Sequence, residues 1–344
     1  MASRLKKIIN ALSYRGDYMD VVYLLSAGSQ MRKNGSRIEI LDKASNRIYS
    51  LLAQEIESVV ASRHTQISTE AIYLLLENAC RISYIDSRGG VVACLGNERL
   101  TLERLLWQQK AFVNPYVVMR LIYDTIGTKM ANQRKLLAYY ASSLHEEELW
   151  EAARTIKLYE HKLEQCDSPE SARGFEGIAS KVYFDALGTI FDAERWDWHG
   201  RNRRPPRDPV NSMLSYGYAF LEREVRIGIA GARLDPRIGF FHSNNGCKDS
   251  LVFDLMELFR QNIIDKFVLK LINRQLFYPI DFQFDEELGC RLSEAARKHW
   301  IRAYEDYMED ERKMLGGLSW RKYIRKEIGN FADSMSMYYC QAME

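Results

Sequence analysis

The chain has 344 residues, 47% of them hydrophobic, which is long enough for two domains with separate cores. With 48 Lys+Arg against 46 Asp+Glu the formal charge is +2, so net charge carries no argument for a polyanionic partner and local clusters must decide. The six cysteines (Cys80, Cys94, Cys166, Cys247, Cys290, Cys340) form no CxxC pair, suggesting neither a zinc knuckle nor a disulfide framework. A reducing cytoplasm fits this usage. Tyr14, Arg15, Asp17 and Asp20 interrupt any apolar leader, and no stretch approaches the roughly 20 apolar residues that span a bilayer, so neither secretion nor a membrane is expected.

The first hundred residues read as short strands between turns: "VVYLLS" at 21–26, "SRIEIL" at 36–41, "RIYSLL" at 47–52 and "IESVVAS" at 56–62. Some twenty residues precede the first clear strand. Asn34-Gly35 and Arg88-Gly89-Gly90 mark hairpin turns. One helix intervenes, "TEAIYLLLENAC", with Ser68 or Thr69 as its cap.

From Thr101 the apolar period becomes helical, as in "LERLLWQQKAFV" and "NPYVVMRLIYDTIGTKMANQRKLLAYYASSL". The expected fold class is α+β, a β-rich domain over 1–100 followed by an all-helical domain over 101–344. Asp167-Ser168-Pro169-Glu170 predicts a helix start: a cap, a proline in the first turn and an acid at the positive end of the dipole. Only "WDWHGRNRRPPRDPVN" at 196–211 resists both periods.

Glu176 lies within that helix between Gly174 and Gly177, each costing a helix interior roughly 0.8–1 kcal/mol relative to alanine. Either small residues let two helices approach, leaving Glu176 to solvent, or something else comes close to the backbone there. His242 follows Pro236 and Gly239 on a connection. The next helix carries Asp254 and Glu257 on one face, at i, i+3, among Leu251, Phe253, Leu255, Met256, Leu258 and Phe259. Acids in so apolar a run need a cation: a bound divalent ion, or Arg260 or Lys248. Carboxylates with one imidazole and no thiolate favour Mg²⁺ or Mn²⁺ over zinc, ions suited to phosphoryl transfer.

Two basic clusters suit phosphate contacts. "RNRRPPR" carries Arg201, Arg203, Arg204 and Arg207 on a proline-extended loop; "WRKYIRKEI" carries Arg321, Lys322, Arg325 and Lys326 at helical spacing. Each alone reads more often as solvated surface. Set aside are "HEEELW" at 145–150, which is not HExxH, and "GIAGA" at 228–232, which lacks the context of a dinucleotide fingerprint. Ser215 and Ser250 show no base and orienter, so nucleophilic hydrolysis is not expected.

These segments together resemble the CRISPR-associated integrase family, the spacer-acquisition endonuclease. "RGFEG" at 173–177, "RPPRDPVNSMLSYGYAFLERE" at 204–224, "LDPRIGFFH" at 234–242 and "KDSLVFDLMELFR" at 248–260 carry the resemblance in chain order. The resemblance implies metal ligands at Glu176, His242 and Glu257, with Asp254 as an auxiliary acid and Mg²⁺ or Mn²⁺ as the ion. It also implies a homodimer formed through the β domain, a small second adaptation protein as partner, and branched or double-stranded DNA as substrate. Arg201, Arg203, Arg204, Arg207, Lys248, Arg321, Lys322, Arg325 and Lys326 are the expected DNA contacts, the last four on charge alone. The expected reaction is attack of a DNA 3′-hydroxyl on a repeat-boundary phosphodiester. The rival readings are a DNA-binding scaffold without catalysis and a structure-selective repair nuclease.

Overall fold

The computed structural model describes residues 12–15, 20–87, 89–96, 100–242 and 249–341. The fold is α+β, and the chain divides into two units, Met1–Glu98 and Arg99–Glu344.

Among the described residues the first unit holds two sheets. Five strands pair in the order β1 (Leu12–Arg15), β2 (Asp20–Leu24), β6 (Ile56–Ser62), β8 (Arg81–Ile85), β9 (Val91–Leu95); the β2–β6 and β6–β8 pairs are parallel and the outer pairs antiparallel. The second sheet runs β5 (Arg47–Leu52), β4 (Arg37–Leu41), β3 (Gln30–Asn34), β7 (Gln66–Ile67). Asn34-Gly35 does make a hairpin turn: Asn34 pairs with Arg37, and Gly35 takes a φ of +61° that a side chain would resist. Ser68 caps helix α1 (Thr69–Glu77), its Oγ accepting from Ala71 N at 3.3 Å. One apolar cluster joins the layers: Val22, Leu24, Val59 and Ile82 from the first sheet, Met31, Ile38, Ile40 and Leu51 from the second, and Ala71 and Leu75 from α1.

Three strands of the first unit escape the sequence reading, one of them the two-residue β7. β1 lies inside the twenty residues that precede the first expected strand. β3, "QMRKN", is polar and exposed along most of its length, so it offers no apolar alternation to find.

The second unit is built on α2 (Leu102–Val113), α3 (Pro115–Leu144), α4 (Glu147–Glu164), α5 (Pro169–Leu187), α6 (Pro209–Gly231), α7 (Ser250–Met256), α8 (Lys266–Asn273), α9 (Glu294–Glu309) and α10 (Trp320–Gln341). α3, α4 and α5 pack on one another, and α10 packs on α6 and α2. Ser168 caps α5 with Pro169 in its first turn, and Asp208 with Pro209 repeats the device on α6, Asp208 Oδ1 accepting from Asn211 N at 2.8 Å. Trp300 centres the core: it stacks on Tyr304 at 5.2 Å and meets Phe220 and Phe267 edge-on at 5.1 and 5.3 Å.

The expectation of an all-helical second domain is corrected by a hairpin, β10 (Phe282–Asp285) and β11 (Gly289–Leu292). Asp285 closes its turn by accepting from Glu287 N and Leu288 N, and Cys290 N donates to Pro206 O at 2.8 Å, so the hairpin backs the irregular arginine-proline loop. No helix among the described residues is long and apolar enough to cross a membrane.

Candidate active site

Three segments far apart in sequence meet in the second unit. Glu176 projects from α5, Glu257 stands on the turn that ends α7, and His242 lies on the connection after α6. The link between α7 and α8 is a π-helix, Arg260–Asp265, a form often found at functional sites.

The connection carrying His242 is fastened from several sides. Gln108 on α2 donates to Asp235 O and Ile238 O, each at 2.8 Å, and accepts from Asp235 N. Ser250 Oγ donates to Arg237 O, and Arg173, one turn before Glu176, donates to Phe241 O at 2.8 Å. Asp254 closes the clasp from below. It is wholly buried, its Oδ2 accepts from Phe240 N and Phe241 N at 2.7 and 3.1 Å, and its Oδ1 accepts from His242 N at 2.8 Å. Gly239 permits this approach, because a Cβ there would lie 2.6 Å from Asp254 Oδ2 and 2.8 Å from the Ser250 carbonyl carbon.

Asp254 Oδ1 also lies 2.6 Å from His242 Nδ1. A carboxylate can only accept, so the contact assigns a proton to Nδ1, and the neutral ring then presents its lone pair at Nε2. Nε2 faces Glu257 Oε1 at 4.0 Å. Asp254 thus works on the imidazole and on backbone N–H groups. With its oxygens engaged in this way, Asp254, expected as an auxiliary acid, holds His242 in orientation.

Glu257 is nearly sealed, with 6% of its side chain exposed, whereas His242 keeps 40%, so the site opens on the histidine side. Burial alone would raise the Glu257 pKa, but Arg260 and Lys129 outweigh it and hold the carboxyl at about 2. Arg260 Nε is 3.2 Å from Glu257 Oε2, and Asn132 on α3 donates to Leu258 O, fixing the turn.

The residue that the sequence reading missed is Lys129. Its ammonium pairs with Glu257 Oε2 at 2.8 Å and also with Glu176 Oε1. Ser180 Oγ donates to the same Glu176 oxygen at 2.9 Å. Burial would lower the Lys129 pKa, but Glu257 and Glu176 more than offset it, and the net direction is upward. A signal existed: Lys129 continues the buried stripe of Ile122, Ile126, Gln133, Leu136 and Leu137 on α3, where a lysine needs a buried anion.

Glu176 therefore does not stand on a solvent face. Gly174 and Gly177 pack nothing within 4 Å of where a Cβ would be, so they leave the surface over α5 open instead of seating a second helix.

The basic clusters divide. Arg203, Arg204 and Arg207 are exposed. Arg201 is not a surface cation: its guanidinium donates to Asn211 Oδ1 at 2.6 Å and to Ser215 Oγ at 3.2 Å, and it lies over the Tyr218 ring at 5.5 Å. Burial lowers its pKa to about 10. Arg260 also lies over the Tyr218 ring, at 4.8 Å, which links the loop's anchor to the Glu257 pair. Arg321 is likewise corrected. It is buried, bonded to Glu224 at 3.2 Å, to Glu305 at 3.0 Å and to Glu309, and so serves the fold. Lys322 and Lys326 are exposed and Arg325 is half-buried, while Lys248 lies outside the described residues.

Glu176, His242 and Glu257 offer two carboxylates and an imidazole from three separately fixed segments, a donor set that fits Mg²⁺ or Mn²⁺. Among the described residues no three such groups already stand at ligating separation, and the ammonium of Lys129 occupies the gap between the two glutamates.

Residues 22–306 match the model of the family described as "CRISPR associated protein Cas1". The chain is 30% identical over 297 residues to "CRISPR-associated endonuclease Cas1 1" of Methanospirillum hungatei, covering 83% of this chain and 87% of that one. It is 30% identical over 282 residues to a "CRISPR-associated exonuclease Cas4/endonuclease Cas1 fusion" of Leptospira interrogans, covering 80% of this chain and spanning 52% of the fusion. Among solved structures, "Casposase bound to integration product" superposes with a TM-score of 0.81 at 22% identity, over 92% of this chain and 91% of that one. At that identity the likeness is one of fold.

Proposed function

The chain belongs to the CRISPR associated protein Cas1 family, and on that premise we propose that it is a divalent-metal-dependent DNA integrase and endonuclease that inserts spacers into a CRISPR array. The observation that carries this reading is the convergence of Glu176, Glu257 and His242, with the Nε2 lone pair of His242 turned toward Glu257 by Asp254.

Glu176, Glu257 and His242 Nε2 would hold Mg²⁺ or Mn²⁺. The ion supplies Lewis acidity, polarising the phosphoryl oxygens and the attacking hydroxyl. Asp254 keeps the imidazole in the tautomer that presents Nε2, and the cations around Glu257 keep its carboxylate ionised. Arg203, Arg204 and Arg207 on the loop, with Lys322 and Lys326 on α10, would hold the DNA backbone. A DNA 3′-hydroxyl held over the open surface of α5 attacks the phosphorus. One P–O bond forms as the bond to the displaced strand's 3′-oxygen breaks, and the hydroxyl proton passes to that oxygen or to solvent. No protein nucleophile is needed. Because the number of phosphodiester bonds is conserved, the reverse reaction releases the joined strand, and water in place of the hydroxyl cuts it.

The names of the relatives, an endonuclease and a nuclease fusion, and the casposase with its integration product support the phosphoryl-transfer class. A second copy of the chain, joined through the β domain, and a small second adaptation protein complete the proposed assembly in a prokaryotic cytoplasm.

The test is joining of a short duplex to a repeat-bearing plasmid in Mg²⁺ or Mn²⁺, with Glu176→Ala, His242→Ala and Glu257→Ala as variants. Loss of joining in all three supports the site. Wild-type joining in any of them overturns it. Metal-independent binding without joining or cleavage would identify a scaffold, and cleavage without joining a structure-selective nuclease.

A further inference from the structure

One side chain in the site touches both Glu176 and Glu257. Lys129 extends from the middle of the 30-residue helix α3, only 8% of its side chain is exposed, and its single ammonium contacts both glutamates assigned to the ion. Two carboxylates facing one another in a partly dry pocket repel, and the Lys129 ammonium stands between them, 2.8 Å from Glu257 Oε2 and also paired with Glu176 Oε1. Some cation must stand between them. In the absence of a divalent ion that cation is Lys129.

A divalent ion liganded by both carboxylates would meet the ammonium that already pairs with them, and two cations held by the same carboxylates would repel. Lysine differs here from arginine: its charge is a compact point on a flexible four-carbon stem, able to withdraw along the helix or turn toward an incoming anion. Ser180 Oγ, which donates to Glu176 Oε1 at 2.9 Å, and Gln133 Nε2, 3.4 Å from Ser180 Oγ, keep Glu176 in place when the ammonium leaves.

We propose that Lys129 is a resident counter-cation of the metal seat, holding Glu176 and Glu257 together before the ion arrives and competing with the ion for them. This rests on the reading of Glu176 and Glu257 as metal ligands. Lys129 is then a positioning residue that weakens resting metal affinity. The anionic phosphoryl group of bound DNA offers the displaced ammonium a new partner, so DNA and the ion bind more tightly together than apart.

The experiment uses the full chain without DNA, titrated with Mn²⁺ and followed by Mn²⁺ electron paramagnetic resonance and by Tm. For Lys129→Gln, which keeps a hydrogen-bond donor but removes the charge, the metal-free Tm falls, the Mn²⁺-induced rise in Tm grows, and Mn²⁺ binds about tenfold tighter than to the wild type. For Lys129→Arg, a fixed fork that grips both carboxylates, Mn²⁺ binding weakens. A merely structural lysine predicts weaker binding in both variants, since its loss would scatter the ligands. Equal or weaker Mn²⁺ affinity in Lys129→Gln overturns the proposal. Should that variant fail to fold, unchanged or tighter Mn²⁺ binding in Lys129→Arg overturns it instead. Failure of the underlying reading looks different: Glu176→Gln and Glu257→Gln would then bind Mn²⁺ as the wild type does.

Discussion

The imidazole Nδ1 of His242 and the carboxylate Oδ1 of Asp254 lie 2.6 Å apart, and the same carboxylate accepts three backbone N–H groups from Phe240, Phe241 and His242. One buried acid thereby fixes the tautomer, the ring and the backbone that carries it. Asp254→Asn has one acceptor oxygen where two are needed, and its amide nitrogen must face N–H donors. The variant should lose about 3 kcal/mol of stability in urea unfolding and at least about a hundredfold in joining rate. A variant joining at the wild-type rate would show that the orientation of His242 is immaterial.

Gly239 makes that clasp sterically possible. A methyl group there meets Asp254 Oδ2 at 2.6 Å and Ser250 Oγ at 2.7 Å, and the Ser250 backbone cannot yield cheaply. Gly239→Ala should cost about 1–3 kcal/mol by urea unfolding and slow joining through displacement of His242. Substitution of Gly174 by alanine, over open space within α5, provides the contrast and should raise stability by roughly 0.8–1 kcal/mol.

Glu257 and Glu224 are both held at about 2, against burial, by Arg260 with Lys129 and by Arg321 with Arg223 respectively. Each pKa is lower in the folded chain than in the unfolded one, so the unfolded chain binds more protons between their values. The stability these pairs contribute is complete above about pH 4.5 and is lost as pH falls toward 2. Denaturant midpoints measured from pH 6 down to 3 should decline, and Glu224→Gln should flatten the decline while lowering the pH 6 midpoint.

Arg321 and the loop arginines should separate in function. Arg321→Met leaves Glu224 and Glu305 buried beside one cation fewer, which should cost about 3–5 kcal/mol without altering the salt dependence of DNA binding. Glutamates at Arg203, Arg204 and Arg207 should leave Tm nearly unchanged and make the logarithmic salt slope of affinity shallower by roughly 0.9 for each phosphate that is no longer neutralised. Filter binding over a salt series measures both. An unchanged slope in the triple variant would exclude the loop from the DNA interface.

The readable parts of the sequence were those where chemistry is local. The change from strand to helical period, the caps at Ser68 and Ser168, and the Asn34-Gly35 turn each depend on a few adjacent residues. Glu176 and His242 stood out because glycines and an irregular connection break the pattern around them. What local chemistry could not supply was depth. Arg321 and Lys322 are neighbours in sequence, yet α10 buries the first among three glutamates and turns the second to solvent. Arg201 and Arg203 differ in the same way, because only Arg201 reaches Asn211 and Tyr218. Lys129 was hidden for a related reason: lysine is common on helices, and its two partners lie on α5 and beyond α7.

The most direct test of the metal-centred account is anomalous diffraction from crystals of the full chain grown or soaked with Mn²⁺. The account predicts one strong peak with carboxylate oxygens of Glu176 and Glu257 and His242 Nε2 within about 2.3 Å, and the Lys129 ammonium moved off the line between the glutamates. A peak elsewhere, or no peak with Lys129 still joining Glu176 to Glu257, would contradict it.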